Sequence, residues 1–208
     1  MMKYSESVLE YKNSFGDMGK LVSNTDDVFK KKYFPGGKSS KKFLPPFIPG
    51  QIYSFFYPTD SKVNEKRPFI NRNPIVLCTD SHTSKNDGTI LKGIDLIVTP
   101  PLRRIEILSK IFDSFSDILS RNEDAHKKGY SISPILLDDK FLEKSIPSTG
   151  YRSSLFGFKS KFVRDAKIMD LEDWFKIPYL GHSIIEGLNV QGIYKQYESK
   201  LNQLKDLK

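Results

Sequence analysis

A single cysteine, Cys78, in a chain of 208 residues excludes an internal disulfide and any multi-cysteine metal site. It stands in the apolar run Ile75-Val76-Leu77-Cys78, where a buried, inert thiol is expected. Alanine occurs only at Ala125 and Ala166, and seven arginines stand against 26 lysines. That balance reflects AT-rich codons rather than chemistry, and the scarcity of arginine argues against base-specific reading of DNA. No stretch approaches the roughly 18–20 apolar residues that cross a bilayer, so no membrane partner is expected. The start, Met1-Met2-Lys3-Tyr4-Ser5-Glu6, lacks the basic-then-apolar order of a signal peptide. The expected setting is a reducing, aqueous compartment. The three histidines, His82, His126 and His182, sit far apart in loop-like contexts, and no two of them stand at the helical spacing of paired ligands. No repeat or long heptad array is present.

What the chain does have is aromatic weight and positive charge. Hydrophobic residues make up 38% and aromatics 12%, so a core must lean on Phe, Tyr and Ile. The net charge of +8 divides unevenly: +4 over residues 1–49, +1 over 50–120 and +3 over 121–208. A near-neutral centre with basic flanks suggests a folded core whose extensions meet something acidic.

Residues 1–33 read as helical, one helix running from Ser5 to about Phe15, broken at Gly16 and Gly19, and a short second one from Asp26 or Asp27. From Phe34 to Gly50 four prolines and three glycines forbid regular structure. Phe34, Phe43, Leu44, Phe47 and Ile48 in that stretch argue against a free linker and predict an arm lying on another surface, its own or a partner's, with these five as candidate partner-binding residues. Strands are expected at Gln51–Tyr57, Ile75–Thr79 and Thr89–Val98, the last two joined by a turn at Asp87-Gly88. Thr99-Pro100-Pro101 opens an amphipathic helix, with Thr99 as N-cap and Ile105, Leu108, Ile111, Phe112, Phe115, Ile118 and Leu119 on its apolar stripe. Further on, Val163–Met169 reads as a strand, Asp170 as the cap of a short helix, and Asn189 as the cap of a last helix. The expected class is α+β: a small antiparallel sheet or partly open barrel packed by an amphipathic helix. Residues 1–49 form a helical and extended N-terminal arm, 50–180 the core, and 181–208 a C-terminal helix.

Catalytic patterns are thin. Asp80-Ser81-His82 lie side by side, whereas a hydrolytic triad converges from separate elements. Gly36-Gly37-Lys38-Ser39 resembles the end of a phosphate loop, but Lys32 stands where the first glycine belongs. The carboxylates Asp138, Asp139, Glu143, Asp165, Asp170, Glu172 and Asp173 show no spacing beyond caps and solvated faces. No cofactor, metal, catalytic residue or small-molecule substrate is expected. Two basic, aromatic-interleaved stretches remain. One holds Lys30, Lys31, Lys32, Lys38, Lys41 and Lys42; the other holds Arg152, Lys159, Lys161, Arg164 and Lys167. Lysines neutralise phosphates and rings stack on bases, which makes them candidates for DNA contact.

Three central segments carry a resemblance: Gly50-Gln51-Ile52-Tyr53-Ser54-Phe55-Phe56-Tyr57, Arg67-Pro68-Phe69-Ile70-Asn71-Arg72-Asn73-Pro74-Ile75-Val76-Leu77, and Gly93-Ile94-Asp95-Leu96. With Pro100-Pro101-Leu102-Arg103-Arg104, Tyr151–Phe156 and Asp173-Trp174-Phe175-Lys176-Ile177-Pro178, they resemble a family of tailed-phage virion proteins. Members are labelled structural protein or DNA end protector, and the likeness spans roughly residues 50–180. The resemblance implies a non-enzymatic virion component of tail, baseplate or neck, made in the host cytoplasm and docked among other structural proteins. The alternative is a protein that binds and protects DNA ends or single strands. The motif positions themselves read as structural: strand aromatics, prolines bounding strands, and an arginine that pins a loop.

Overall fold

Alternating large side chains at 52–57 and 75–78 build the middle of a five-stranded antiparallel sheet, because each strand sends successive residues to opposite faces. The computed structural model describes residues 4–34, 46–57, 73–86, 88–121 and 155–181. The strands are β1 (Ile52–Phe56), β2 (Ile75–Ser84), β3 (Gly88–Asp95), β4 (Leu155–Lys159) and β5 (Arg164–Ile168). Their spatial order is β4-β3-β2-β1-β5, so the sheet is open, with β4 and β5 at its edges. The helices are α1 (Tyr4–Asn13), α2 (Met18–Tyr33), α3 (Pro101–Arg121) and the short α4 (Leu171–Trp174), the last followed by a 3-10 turn at Ile177–Tyr179. This is the α+β class, an open antiparallel sheet with helices on one side. No helix of the described residues is long and apolar enough to cross a membrane.

The helical face of the sheet presents Ile52, Ile75, Leu77 and Ile94. Against them pack Tyr4 and Val8 of α1, Phe29 and Tyr33 of α2, and Ile107, Leu108, Ile111 and Phe112 of α3. Helices α1 and α2 therefore join the same core as the sheet. The opposite face gathers Tyr53, Phe55, Tyr57, Val76, Cys78, Leu91 and Phe158 into a second cluster, which Phe47 and Val163 also enter. Gly93 sits where β3 crosses β2: a Cβ there would lie 2.4 Å from both the Leu77 carbonyl oxygen and Val76 Cγ1.

Three elements differ from their expected bounds. Helix α2 begins at Met18 because the Asp17 carboxylate accepts from the Lys20 amide at 2.9 Å, a cap that places Gly19 in the first turn, where glycine costs little. Strand β2 continues past Thr79 to Ser84 through a one-residue bulge against Lys92 and Gly93, which puts Ser81 opposite Leu91. Strand β3 stops at Asp95, whose carboxylate accepts from the Ile97 amide and turns the chain; Thr99 then turns its hydroxyl back to the Asp95 carbonyl. The expected hairpin turn is present, with Gly88 at φ 71°. On β5 a second bulge places Asp165 at φ 53°. The expected C-terminal helix and the segment 130–148 lie outside the described residues.

Candidate functional site

Among the described residues the most deeply buried charged side chain is Arg104, fully shielded in the first turns of α3. Its guanidinium donates to the Thr99 carbonyl (2.7 Å) and the Ile97 carbonyl (2.8 Å), and from there to the carbonyls of Leu180 (2.9 Å) and Ile177 (3.2 Å). The planar fork of five donors suits four diverging carbonyls in a way an ammonium does not. One side chain thereby fixes the β3–α3 connection and the turn after α4.

A second polar centre joins α2 to α4. Asp173 is 1% exposed, and its carboxylate accepts from Lys32 Nζ and the Tyr33 hydroxyl, both at 2.5 Å, and from Lys176 Nζ at 2.6 Å. Burial alone would raise this carboxyl; the hydrogen bonds from Lys176, Lys32 and Tyr33 outweigh it and hold the group below its ordinary range. Hydrogen bonds to Asp170 and then Asp173 raise the Lys32 ammonium well above its usual value. Tyr33 is pushed up to about 12, first by burial and then by its bond to Asp173. Asp170, Glu172 and Asp173 bring carboxylate oxygens within 4.8 Å of one another, close enough to hold a cation. Lys32 is that cation, 2.7 Å from Asp170 and 3.7 Å from Glu172.

The same C-terminal segment also binds the other helices. The Tyr4 hydroxyl donates to the Trp174 carbonyl, Tyr179 to the Val8 carbonyl, and the Gly181 amide to the Asp26 carboxylate. Residues 170–181 thus work as a clasp on α1, α2 and α3.

The arm's two described ends rest on its own molecule. Phe34 packs against the helical core. On the other face Phe47 is buried edge-on to Tyr53 at 5.3 Å, and Ile48 is half-buried. The Tyr53 hydroxyl donates to the Pro46 carbonyl and accepts from the Ile48 amide, while Ser81 donates to the Phe47 carbonyl. Phe43 and Leu44 lie outside the described residues.

The basic stretches meet at one point. Lys167 of β5 donates to the Lys32 carbonyl at 2.6 Å, at the end of α2, where a cation also complements the helix dipole. Lys30, Lys31, Arg164 and Lys167 are exposed, Lys159 is half-buried, and the Lys161 ammonium lies 5.3 Å from the centre of the Phe162 ring. Lys38, Lys41, Lys42 and Arg152 lie outside the described residues.

On β2 the half-buried Asp80 and the exposed His82 lie 3.6 Å apart, and Ser81 between them holds the arm. Strand alternation sends Ser81 to the opposite face from its neighbours. The Cys78 thiol is buried and pushed up to about 12 by that burial, which keeps it protonated and unreactive. Sequence reasoning singled out neither Arg104's carbonyl cage nor the Asp173 centre, and no local pattern marks them. The chain matches no protein-family model, no curated protein and no solved structure.

Proposed function

We propose that this chain is a non-enzymatic structural component of a tailed-phage virion, in the tail, baseplate or neck, docking to neighbouring subunits. The observation that carries the reading is the use to which the motif residues are put. Gly93 lets two strands close, Tyr53 ties down the arm, Arg104 joins α3 to the clasp, and Trp174 fills the core. A motif spent on fixing a shape suits a protein that works through its surfaces. Both described ends of the arm are committed to this chain's own core, so docking falls to other surfaces or to the residues between Phe34 and Phe47. The test is mass spectrometry of gradient-purified particles. A fixed copy number of this chain per particle supports the reading, and its absence from particles overturns it.

The contact between Lys167 and Lys32 favours a second reading, a DNA-end or single-strand binding protein, because it joins the described part of one basic stretch to that of the other. Sedimentation with single- and double-stranded DNA separates the two. A DNA-dependent shift that collapses between low and physiological salt supports DNA binding; a sedimentation coefficient indifferent to DNA removes it.

A further inference from the structure

We propose that the outer edge of β5 is the docking site for an extended acidic segment of a neighbouring protein, added to the sheet as a sixth strand. This deepens the virion reading by naming the surface and the chemistry of its partner. Among the described residues strand β5 pairs with β1 alone. Tyr53 stands opposite Ile168 and Ser54 opposite Lys167, and the Met169 amide donates to the Ile52 carbonyl. In an antiparallel ladder of that register, residues 167 and 169 turn their N–H and C=O groups toward β1, and Ile168 turns its own outward. Among the described residues no strand pairs with that side.

The side chains define what fits. Arg164 and Lys167 lie opposite Phe56 and Ser54, on the helical side of the sheet, and both are exposed. The Lys167–Lys32 contact sets Lys167 at the end of α2, which also carries the exposed Lys30 and Lys31. Ile168 points to the other side and is 45% exposed, one of few large apolar side chains left in water among the described residues. A partner strand that carries carboxylates on one side and aliphatic side chains on the other matches both rows, because strand side chains alternate with period two. The bulge at Asp165 and the row of cations are features that keep an open edge from pairing indiscriminately. They repel a second copy of this edge, which brings its own Arg164 and Lys167, and leave an acidic strand favoured. The exposed apolar contact is an isoleucine rather than a base-stacking ring, and the outward N–H and C=O of Ile168 offer a strand ladder rather than a phosphate site. Both features fit a protein segment better than a nucleic acid.

The experiment is fluorescence anisotropy of the full chain with a short labelled peptide that alternates Glu and Val. Saturable binding is expected. Ile168→Pro removes an outward N–H without removing a bond to β1, and should weaken binding about tenfold or more, the loss of roughly 1.4 kcal/mol. Arg164→Glu should weaken it comparably, with circular dichroism showing both variants folded. A peptide of equal charge with a central proline should not bind. Equal binding of that peptide shows charge alone at work and overturns the proposal. So does unchanged binding by Ile168→Pro, a response to single-stranded DNA with none to the peptide, or self-association that Ile168→Pro abolishes. A silent peptide with the chain still present in purified particles sinks the edge assignment and leaves the virion reading standing. A binding peptide with the chain absent from particles does the reverse.

Discussion

On one side of the sheet four helices are tied down by long polar side chains, while on the other side rings pack against rings. The helical side relies on Arg104, Asp173, Tyr4 and Asp26, each bonded to a residue more than seventy positions away in sequence. The far side relies on edge-to-face contacts: Phe158 lies 5.1 Å from Phe55 and 5.4 Å from Tyr57, near perpendicular to both. Its polar ties are local, from Tyr53 to Pro46 and Ile48, with Ser81 reaching the nearby arm. Apolar burial supplies stabilisation but little direction, since hydrophobic attraction is not oriented. Helices that could slide on a flat sheet need oriented bonds to fix their positions, and a strand face already held in register by its ladder does not.

The largest effect is expected from Arg104→Met. It removes the donors of four carbonyls and leaves buried acceptors unsatisfied, at a cost of about 4–5 kcal/mol. Phe158→Ala, on the far side, should cost about 3–4 kcal/mol through lost burial and the cavity left behind. Urea denaturation of each variant gives both numbers. The comparison also predicts a difference in kind. Arg104→Met should loosen residues 177–180, seen as faster amide exchange there, whereas Phe158→Ala should lower global stability without selective opening. Selective exchange in both variants, or in neither, breaks the contrast.

Asp173→Asn comes next, with a cost of about 2 kcal/mol, because a buried acceptor of two ammonium groups and a phenol loses its charge. Its folded carboxyl is held below the ordinary range, so its contribution is complete above the unfolded value of about 4. That contribution is lost as pH falls through the folded value. The native chain should therefore lose stability on acidification below about pH 4, and Asp173→Asn should lack that part of the slope. Denaturation midpoints measured between neutral and acid pH decide it. A variant with an unchanged acid limb would show that the clasp is held by packing, as the far face is.

The strands and α3 were legible because their signals are local. Alternation at 52–56, the turn glycine at Gly88 and the three-and-four spacing before Phe112 each lie within one element. Element bounds were less legible where a single side chain decides them. Asp17 caps α2 across a glycine that reads as a breaker, and a bulge at Thr79 carries β2 into a polar run that does not alternate. The polar ties were not legible at all. Arg104 bonds backbone carbonyls, which leave no trace in side-chain identity. Nothing in Lys30-Lys31-Lys32 marks the third lysine as the one that meets carboxylates some 140 positions later. Helical phase decides it: Lys32 shares its face with the buried Phe29 and half-buried Val28, while Lys30 and Lys31 face water.

The smallest effect tests the contrast from below. Ser54 is buried on β1 with its hydroxyl on the helical side, and among the described residues it has no hydrogen-bond partner. It is a polar group on the side held by polar ties, yet it takes no part in them. A buried hydroxyl without a partner carries a desolvation penalty that an alanine does not. If the helical side depends on particular oriented bonds rather than on polarity as such, Ser54→Ala should be neutral or stabilising by up to about 1 kcal/mol. A loss of more than that in urea denaturation would mean that the hydroxyl is bonded in solution, and that the polar network of the helical face extends through the sheet's central strand.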